Sequence, residues 1–313
     1  MKNVTKILTA AVLCAALFAS TQRTDALGGN AALWPGDEAN IAAFPAQVNN
    51  HSFVQVTGVG MTSAADADAT PAIPAGYDDG VGVSLLTQVD GTTWGFNYGG
   101  GSDDWVNMAW GNGTMGVVIG MESTTGATTA DDHSDMSVAY GNIFSWGEIG
   151  VKYETTGNGD GDAMLGVNFR RGTSAWLFDN MVVSIADLMA DDLAFNVDLF
   201  THMDAGGADV VFGWGANYTP DAITQTATIG VEANMTDWAT LRAGYNWSHE
   251  LTCETDACGE NTSGIAWGLG FNWGGLTADV TINSGIFNDP IGTITGYDDG
   301  GLHDGTVTLT YSF

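Results

Sequence analysis

The chain ends in Thr306-Val307-Thr308-Leu309-Thr310-Tyr311-Ser312-Phe313, in which every second residue is apolar and the residues between are hydroxyl side chains. A period of two places the apolar side chains on one face of a β-strand and the polar ones on the other. The same alternation recurs along the chain after residue 50, for example in 226–234, 238–247 and 263–273. The pattern predicts an all-β protein.

Soluble β-sandwiches alternate in the same way, so composition has to separate them from membrane barrels. Charged residues make up only 14% of the chain, against about 25% in ordinary soluble domains. The polar faces carry Gly, Asn, Thr and Ser, and aromatic residues lie near the strand ends. Such aromatic girdles are typical of barrels in lipid, where only a closed sheet satisfies all backbone hydrogen bonds. We therefore predict a closed antiparallel transmembrane β-barrel.

The connections between the alternating segments differ in length in a regular way. Tight turns such as Asn112-Gly113, Thr236-Asp237 and Gly274-Gly275 alternate with long polar stretches such as 61–78 and 285–304. Short turns at one rim and long loops at the other are typical of outer-membrane barrels. The segments allow roughly 12 to 16 strands, and about 14 is the even number that we expect for this length.

The N-terminus has the pattern of a secretory signal peptide. Lys2 and Lys6 precede an apolar run over residues 7–19 that is too short to span a membrane. Small residues in Thr24-Asp25-Ala26 predict cleavage after Ala26, and an earlier cut near Ala19 or Ser20 is the alternative. The predicted organisation is a signal peptide over 1–26, an N-terminal segment over 27–50 and a barrel over 51–313.

Charge and residue type exclude or disfavour other classes of protein. A formal net charge of −30 excludes a nucleic-acid partner, since nothing would neutralise the phosphates. His133 beside Asp131, Asp132, Ser134 and Asp135 is the one local candidate for catalysis. Because no partner for a triad can be placed, we predict that the protein is not an enzyme.

The C-terminal stretch from Val307 to Phe313 resembles the recognition signal of bacterial outer-membrane barrels, which alternates and ends in Phe. Together with a signal peptide, this resemblance implies location in the outer membrane of a Gram-negative bacterium. It also implies insertion by the barrel assembly machinery, with Tyr311 and Phe313 as the assembly signal, and contact with outer-membrane lipid.

A second resemblance concerns residues 26–46, which read ALGGNAALWPGDEANIAAFPA. This segment is similar to the opening of long-chain fatty-acid transporter-like barrels and of their relatives in secretion systems. In those families the segment enters the barrel as a plug. Residues 27–50 also lack strand alternation and carry Trp34 and Phe44, whose burial favours an enclosed position. We expect them to form a plug.

Alternation predicts a set of charged side chains that point into the barrel. A polar constriction that selects solutes is one interpretation, and a structural charge network that fills the bore is the other. The predicted inward-facing charged residues are Glu122, Lys152, Arg170, Asp198, Glu232, Arg242 and Asp279.

Two features of the loops suggest further chemistry. Cys253 and Cys258 are predicted to form a disulfide in an extracellular loop, since an exported protein meets oxidising conditions. A metal site is the alternative, but it needs more ligands and only His249 is near. Oxygen ligands alternate in Asn158-Gly159-Asp160-Gly161-Asp162, as in calcium loops, but the terminal acidic ligand is missing. A solvated acidic surface is the preferred interpretation, and we expect no cofactor and no metal.

The sequence predicts passive transport of small or hydrophobic solutes through a porin-like channel. The alternative is a surface or assembly barrel without transport, such as an adhesin or a component of a secretion complex. Small lumenal residues favour the pore, and a lumen filled by residues 27–50 and ion pairs favours the alternative.

Overall fold

A computed structural model of the protein describes residues 21–59, 81–100, 103–124, 133–155, 163–253, 261–282 and 303–313. These residues form sixteen antiparallel strands, each paired with its neighbours in sequence, and the first strand also pairs with the last, which closes the barrel. In chain order the strands are β1 Phe53–Val59, β2 Val81–Val89, β3 Thr92–Gly100, β4 Asp103–Gly111, β5 Met115–Thr124, β6 His133–Phe144, β7 Gly147–Thr155, β8 Ala163–Ala175, β9 Phe178–Ile185, β10 Phe195–Asp204, β11 Ala208–Tyr218, β12 Ala222–Thr236, β13 Ala239–Cys253, β14 Asn261–Trp273, β15 Leu276–Ile282 and β16 His303–Ser312.

The expectation of about 14 strands was too low. Most of the strands are 7 to 10 residues long, and the turns at one rim take only a few residues, such as Asp237 and Trp238 between β12 and β13. Short strands and tight turns use little chain, so sixteen strands fit within residues 53–312. Every alternating segment in this part of the sequence is a strand, including the less regular ones.

The two rims differ as the sequence predicts, with two exceptions. The turns after β2, β4, β6, β8, β10, β12 and β14 are all short and lie at the rim that also carries Phe313; we call it the short-turn rim. The opposite rim carries the long connections, but β3 and β4 are separated by only two residues there, and β11 and β12 by three.

The described part of the chain before the barrel, residues 21–50, is mostly short helical turns. A helix, α1, spans Thr21–Ala26, and three 3₁₀ turns follow at Ala31–Leu33, Glu38–Ile41 and Pro45–Asn50. Asn30 and Asp37 cap the first two of these turns by accepting hydrogen bonds from the amides of Ala32 and Ala39. Among the described residues, no helix is both long and apolar enough to cross a membrane.

Candidate functional site

The N-terminal segment, residues 21–50, packs against the inward-facing side chains of the strands. Two apolar clusters join it to the barrel wall. In the first, Ile41 and Val48 lie with Phe53, Leu86, Ala109, Val118 and Ala139 of β1, β2, β4, β5 and β6. In the second, Leu27, Leu33, Trp34 and Phe44 lie with Val182, Phe200 and Val211 of β9, β10 and β11.

Glycines on three neighbouring strands form a flat surface for one part of this segment. Gly116, Gly141 and Gly150 lie side by side on β5, β6 and β7. A Cβ atom at any of the three would overlap the backbone between Ala43 and Ala46. We call these three residues the glycine cradle. Only glycine allows two backbones to approach this closely, so the cradle fixes the position of the segment against the wall.

Gly230 and Gly244 form a similar contact on the other side of the barrel. They are directly paired across β12 and β13. A Cβ atom on Gly244 would overlap the backbone of Leu27 and Gly28, and one on Gly230 would meet the ring of Trp34 and the carbonyl of Leu27. The amide of Asn246 also donates a hydrogen bond to the carbonyl of Gly28. The segment is therefore held on opposite sides of the barrel.

A buried polar network ties the segment to β7 and β8. Nη2 of Arg170 lies 2.6 Å from Oε2 of Glu148, and Nη1 donates a hydrogen bond to Oδ1 of Asn40. The amide of Gln47 donates to both oxygens of Glu148 at 2.8 Å. The Arg170 guanidinium also lies over the ring of Phe44, 4.4 Å from its centre. Each buried charge therefore has a partner, as a buried ion pair requires.

A second polar network includes three of the predicted inward-facing residues. Arg242 bridges Glu232 at 2.7 Å and Asp279 at 2.5 Å. Arg23 of α1 extends the network, because it pairs with Glu232 at 3.0 Å and with Asp37. The network thus joins three barrel strands, β12, β13 and β15, to two parts of the N-terminal segment, and the carboxylate of Glu232 contacts both guanidinium groups.

The other predicted lumenal residues lie elsewhere on the inner face. Asp198 accepts hydrogen bonds from Asn196 at 2.6 Å and from Asn30. Lys152 pairs with Glu154 at 2.8 Å. Glu122 lies directly opposite Asp135 in the β5–β6 ladder, nearer to the rim of long connections. Of the seven predicted residues, only Glu232, Arg242 and Asp279 lie in one group, and the others are distributed over the inner face.

Several residues of the interior were not among the sequence predictions. Glu148, Asn40 and Gln47 hold the first network. The ring of His202 lies between the segment and β11, because Nε2 donates a hydrogen bond to the carbonyl of Leu33 at 2.7 Å and Nδ1 contacts the carboxylate of Asp209. Glu148 points to the same face of β7 as Lys152, so the alternation of side chains along the strand could have identified it as inward-facing. The apolar clusters were signalled by adjacent apolar residues that break the alternation, such as Leu85-Leu86, Val182-Val183 and Val210-Val211-Phe212.

Some predicted sites cannot be compared with the structure. Asp131, Asp132, Cys258 and Asn158–Asp162 lie outside the described residues, and the side chains of His133 and Cys253 do too. Residues 1–20 also lie outside them, so the signal peptide and its cleavage site stay predictions. Within the described part of the chain, no three His, Cys, Asp or Glu side chains are grouped so that they could hold a metal ion.

The outer face of the barrel carries large apolar side chains over most of its circumference. Exposed aromatic residues follow the short-turn rim, among them Trp94, Trp146, Trp176, Trp238, Trp273 and Phe313. Tyr98, Tyr153 and Tyr218 are exposed toward the other rim. Two aromatic girdles with an apolar band between them are typical of outer-membrane barrels, in which the apolar band faces lipid. The protein is a barrel of the bacterial outer membrane.

Comparison with solved structures finds other barrels of this membrane at low identity. The chain is similar to a bacterial polysaccharide outer membrane secretin, with 12% identity, a TM-score of 0.49, and 85% of this chain and 99% of that chain covered. It is also similar to a Pseudomonas aeruginosa FadL homologue, with 12% identity, a TM-score of 0.43, and 95% and 99% covered.

A third similar structure is an anion-selective porin from Comamonas acidovorans, with 11% identity, a TM-score of 0.27, and 84% of this chain and 75% of that chain covered. No protein-family model and no curated protein matches the chain. The function of the barrel therefore has to be inferred from the geometry of its interior.

Proposed function

We propose that the protein is a passive outer-membrane channel for small or hydrophobic solutes, in which residues 27–50 are a plug. The observation that carries this proposal is the division of the lumen into two halves. Toward the short-turn rim, the inner face packs against the segment, and Glu148, Arg170 and Arg242 are each no more than 7% exposed. Toward the other rim, inward-facing positions such as Lys152, Ser248 and Gly264 are partly or fully exposed.

The chemistry of the exposed half supports passage of solutes. Small residues line much of it, and nothing lies within 4 Å of the position that a Cβ atom would take at Gly264. Small inward residues leave room for water and solutes in a wide barrel. A solute would enter from the rim of long connections and would pass the plug only when the plug shifts.

The proposal includes the placement of the strands across the outer membrane. The apolar band and its girdles would contact lipid, and the barrel assembly machinery would recognise the C-terminal strand. Tyr311 and Phe313 are exposed on the outer face with ring centres 6.2 Å apart, so they are accessible to such a partner. The proposal includes neither a catalytic step nor a cofactor.

A surface or assembly barrel without transport is the second candidate. The two polar networks favour it, because they cross-link the segment to β7, β8, β12, β13 and β15. Releasing the segment would separate Arg170 and Glu148 from their partners Asn40, Phe44 and Gln47. A plug that never moves would leave a closed barrel.

Deletion of residues 29–46 separates the two candidates. The deletion removes the contacts with the glycine cradle, Ile41 of the first apolar cluster and three residues of the second, and it leaves the strands intact. In planar bilayers, the channel proposal expects rare conductance steps for the full-length protein and frequent, larger steps for the deletion variant. A folded, heat-modifiable deletion variant that gives no conductance would contradict transport and favour the second candidate.

A further inference from the structure

Helix α1 is built into the barrel, although it lies before the predicted cleavage position. It packs against β13, β14, β15 and β16. Ala26 is fully buried and lies over Gly268, where a Cβ atom would overlap it. Gln22 is buried too, and its side-chain oxygen accepts a hydrogen bond from Thr308.

Arg23 makes the most consequential contacts of this helix. Its guanidinium pairs with Asp37, whose side chain is 1% exposed, and with Glu232. It also lies over the ring of Trp34, 5.5 Å from the centre. Arg23 therefore supplies positive charge to the plug and to the barrel wall at the same time.

The carboxylates around Arg23 need this charge. Asp37, Glu38, Glu232 and Asp279 lie close enough to influence one another, and Arg242 is the other guanidinium among them. Even with Arg23 present, burial and the charge of Asp37 raise the pKa of Glu38 to about 7. Removing one member of a buried ion pair leaves an uncompensated charge and is strongly destabilising.

We propose that signal peptidase cleaves before Thr21, after Ala19 or Ser20, so that the mature barrel keeps Thr21–Ala26 with Arg23 as an internal counter-ion. Water hydrolyses one peptide bond, which leaves a carboxylate on Ala19 or Ser20 and a new α-amino group on the residue that follows it. Ala19 and Ser20 are small, as the residue before the cleaved bond must be, whereas Leu17 and Phe18 two positions earlier are larger than in the usual A-x-A pattern. The proposal does not depend on transport, because it concerns how the interior is neutralised.

The mass of the mature protein tests the cleavage position directly. The chain is expressed with its own signal peptide in a Gram-negative host, extracted from the outer membrane and measured intact. The proposal expects a mature chain that begins at Ser20 or Thr21. A chain that begins at Leu27, or one that keeps residues before Ser20, would overturn it.

The substitution Arg23→Gln tests the role of the charge. If Arg23 is retained, the substitution changes the mass of the mature protein and lowers the unfolding temperature of the barrel by about 5 °C on heat-modifiability gels. Arg171→Gln is the matched control, since Arg171 is exposed and donates to the carbonyl of its neighbour Gly172. In a Glu232→Gln background the effect of Arg23→Gln should shrink.

Two results would overturn this part of the proposal. One is a mature Arg23→Gln protein whose mass equals that of the wild type, because the residue would then leave with the signal peptide. The other is an equal effect of Arg23→Gln in the wild type and in a background with both Asp37→Asn and Glu232→Gln, because Arg23 would then act without either of its ion-pair partners. The variant Arg23→Lys keeps the charge and should retain part of the stability.

Discussion

The guanidinium of Arg170 lies over the ring of Phe44 and at the same time 2.6 Å from the carboxylate of Glu148. Phe44 belongs to the N-terminal segment, whereas the two charged residues belong to the barrel wall. One side chain therefore joins a buried ion pair to the apolar packing of the segment. This relationship makes Arg170 the clearest single contact by which docking of the segment can be weakened.

The substitution Arg170→Gln should loosen the segment. Glu148 would lose its buried counter-charge and Phe44 its cation–π contact, which together cost about 3 kcal/mol of docking free energy. We expect more frequent conductance steps in bilayers and faster proteolysis of residues 27–50. Arg171→Gln is the control. The double variant with Glu148→Gln should be milder than Arg170→Gln alone, and an additive double variant would contradict the pairing.

The glycine cradle predicts a steric way to displace the segment. In Gly141→Leu the side chain would occupy the space of the backbone at Pro45 and Ala46, so the segment should undock while the β-strands stay paired. Gly264→Leu is the matched control, since it adds the same side chain at an inward position with open space. Increased conductance in both variants, or in neither, would argue against the cradle.

The sequence predicts the features that depend on neighbouring residues in the chain better than those that depend on residues far apart. The outward-facing half of each strand follows from alternation, and all sixteen strands can be found this way. The count failed because chain length alone set the expected number. Trp34 and Phe44 were expected to be enclosed, and both are buried in the second apolar cluster.

The interior of the barrel was less predictable, because its contacts join residues far apart in sequence. Arg170 meets Asn40 across 130 positions, and Gln47 meets Glu148 across 101. The alternation of side chains along a strand shows that a charged residue faces the interior, but it does not show which residue forms its ion pair or hydrogen bond. The cradle glycines each look like an ordinary small residue in a strand. Only the register of β5, β6 and β7 aligns them.

Glu38 predicts a dependence of docking on pH. Its pKa is raised from the usual 4.5 to about 7, mainly by burial and then by the neighbouring Asp37. The docked state therefore binds this proton more tightly than a released segment, so docking weakens as the pH rises from about 5 to 8. Bilayer recordings should show more openings at pH 8 than at pH 6.

The variant Glu38→Gln checks the assignment of this pH dependence. Glutamine keeps the shape of the neutral acid, so the openings should become nearly independent of pH between 6 and 8. His51 acts in the opposite sense, since burial lowers its pKa and its protonation disfavours docking at low pH. An unchanged pH profile in Glu38→Gln would exclude Glu38 as its source.

The balance of charge on the inner face predicts selectivity for cations. Among inward-facing residues of the described strands, acidic side chains outnumber the basic Lys152, Arg170 and Arg242. The acidic ones are Glu122, Asp135, Glu148, Glu154, Asp198, Asp204, Asp209, Glu232, Glu250 and Asp279. A lumen with excess negative charge favours cations. The reversal potential in a KCl gradient measures this. Glu122→Gln should reduce the selectivity, whereas Asp179→Asn on the outer face should not, and anion selectivity would contradict the charge argument.

The position of the N-terminal segment is most directly tested by a cysteine at Val48, which is fully buried against the barrel wall. In a background with Cys253→Ser and Cys258→Ser, the folded Val48→Cys protein is exposed to a water-soluble maleimide and the labelled fraction is measured by mass. The structure predicts that labelling is slow in the folded barrel, fast when Gly141→Leu is added, and complete after unfolding. Rapid, complete labelling of the folded Val48→Cys barrel would show that the segment is a free tail, and this result would contradict its docking inside the barrel.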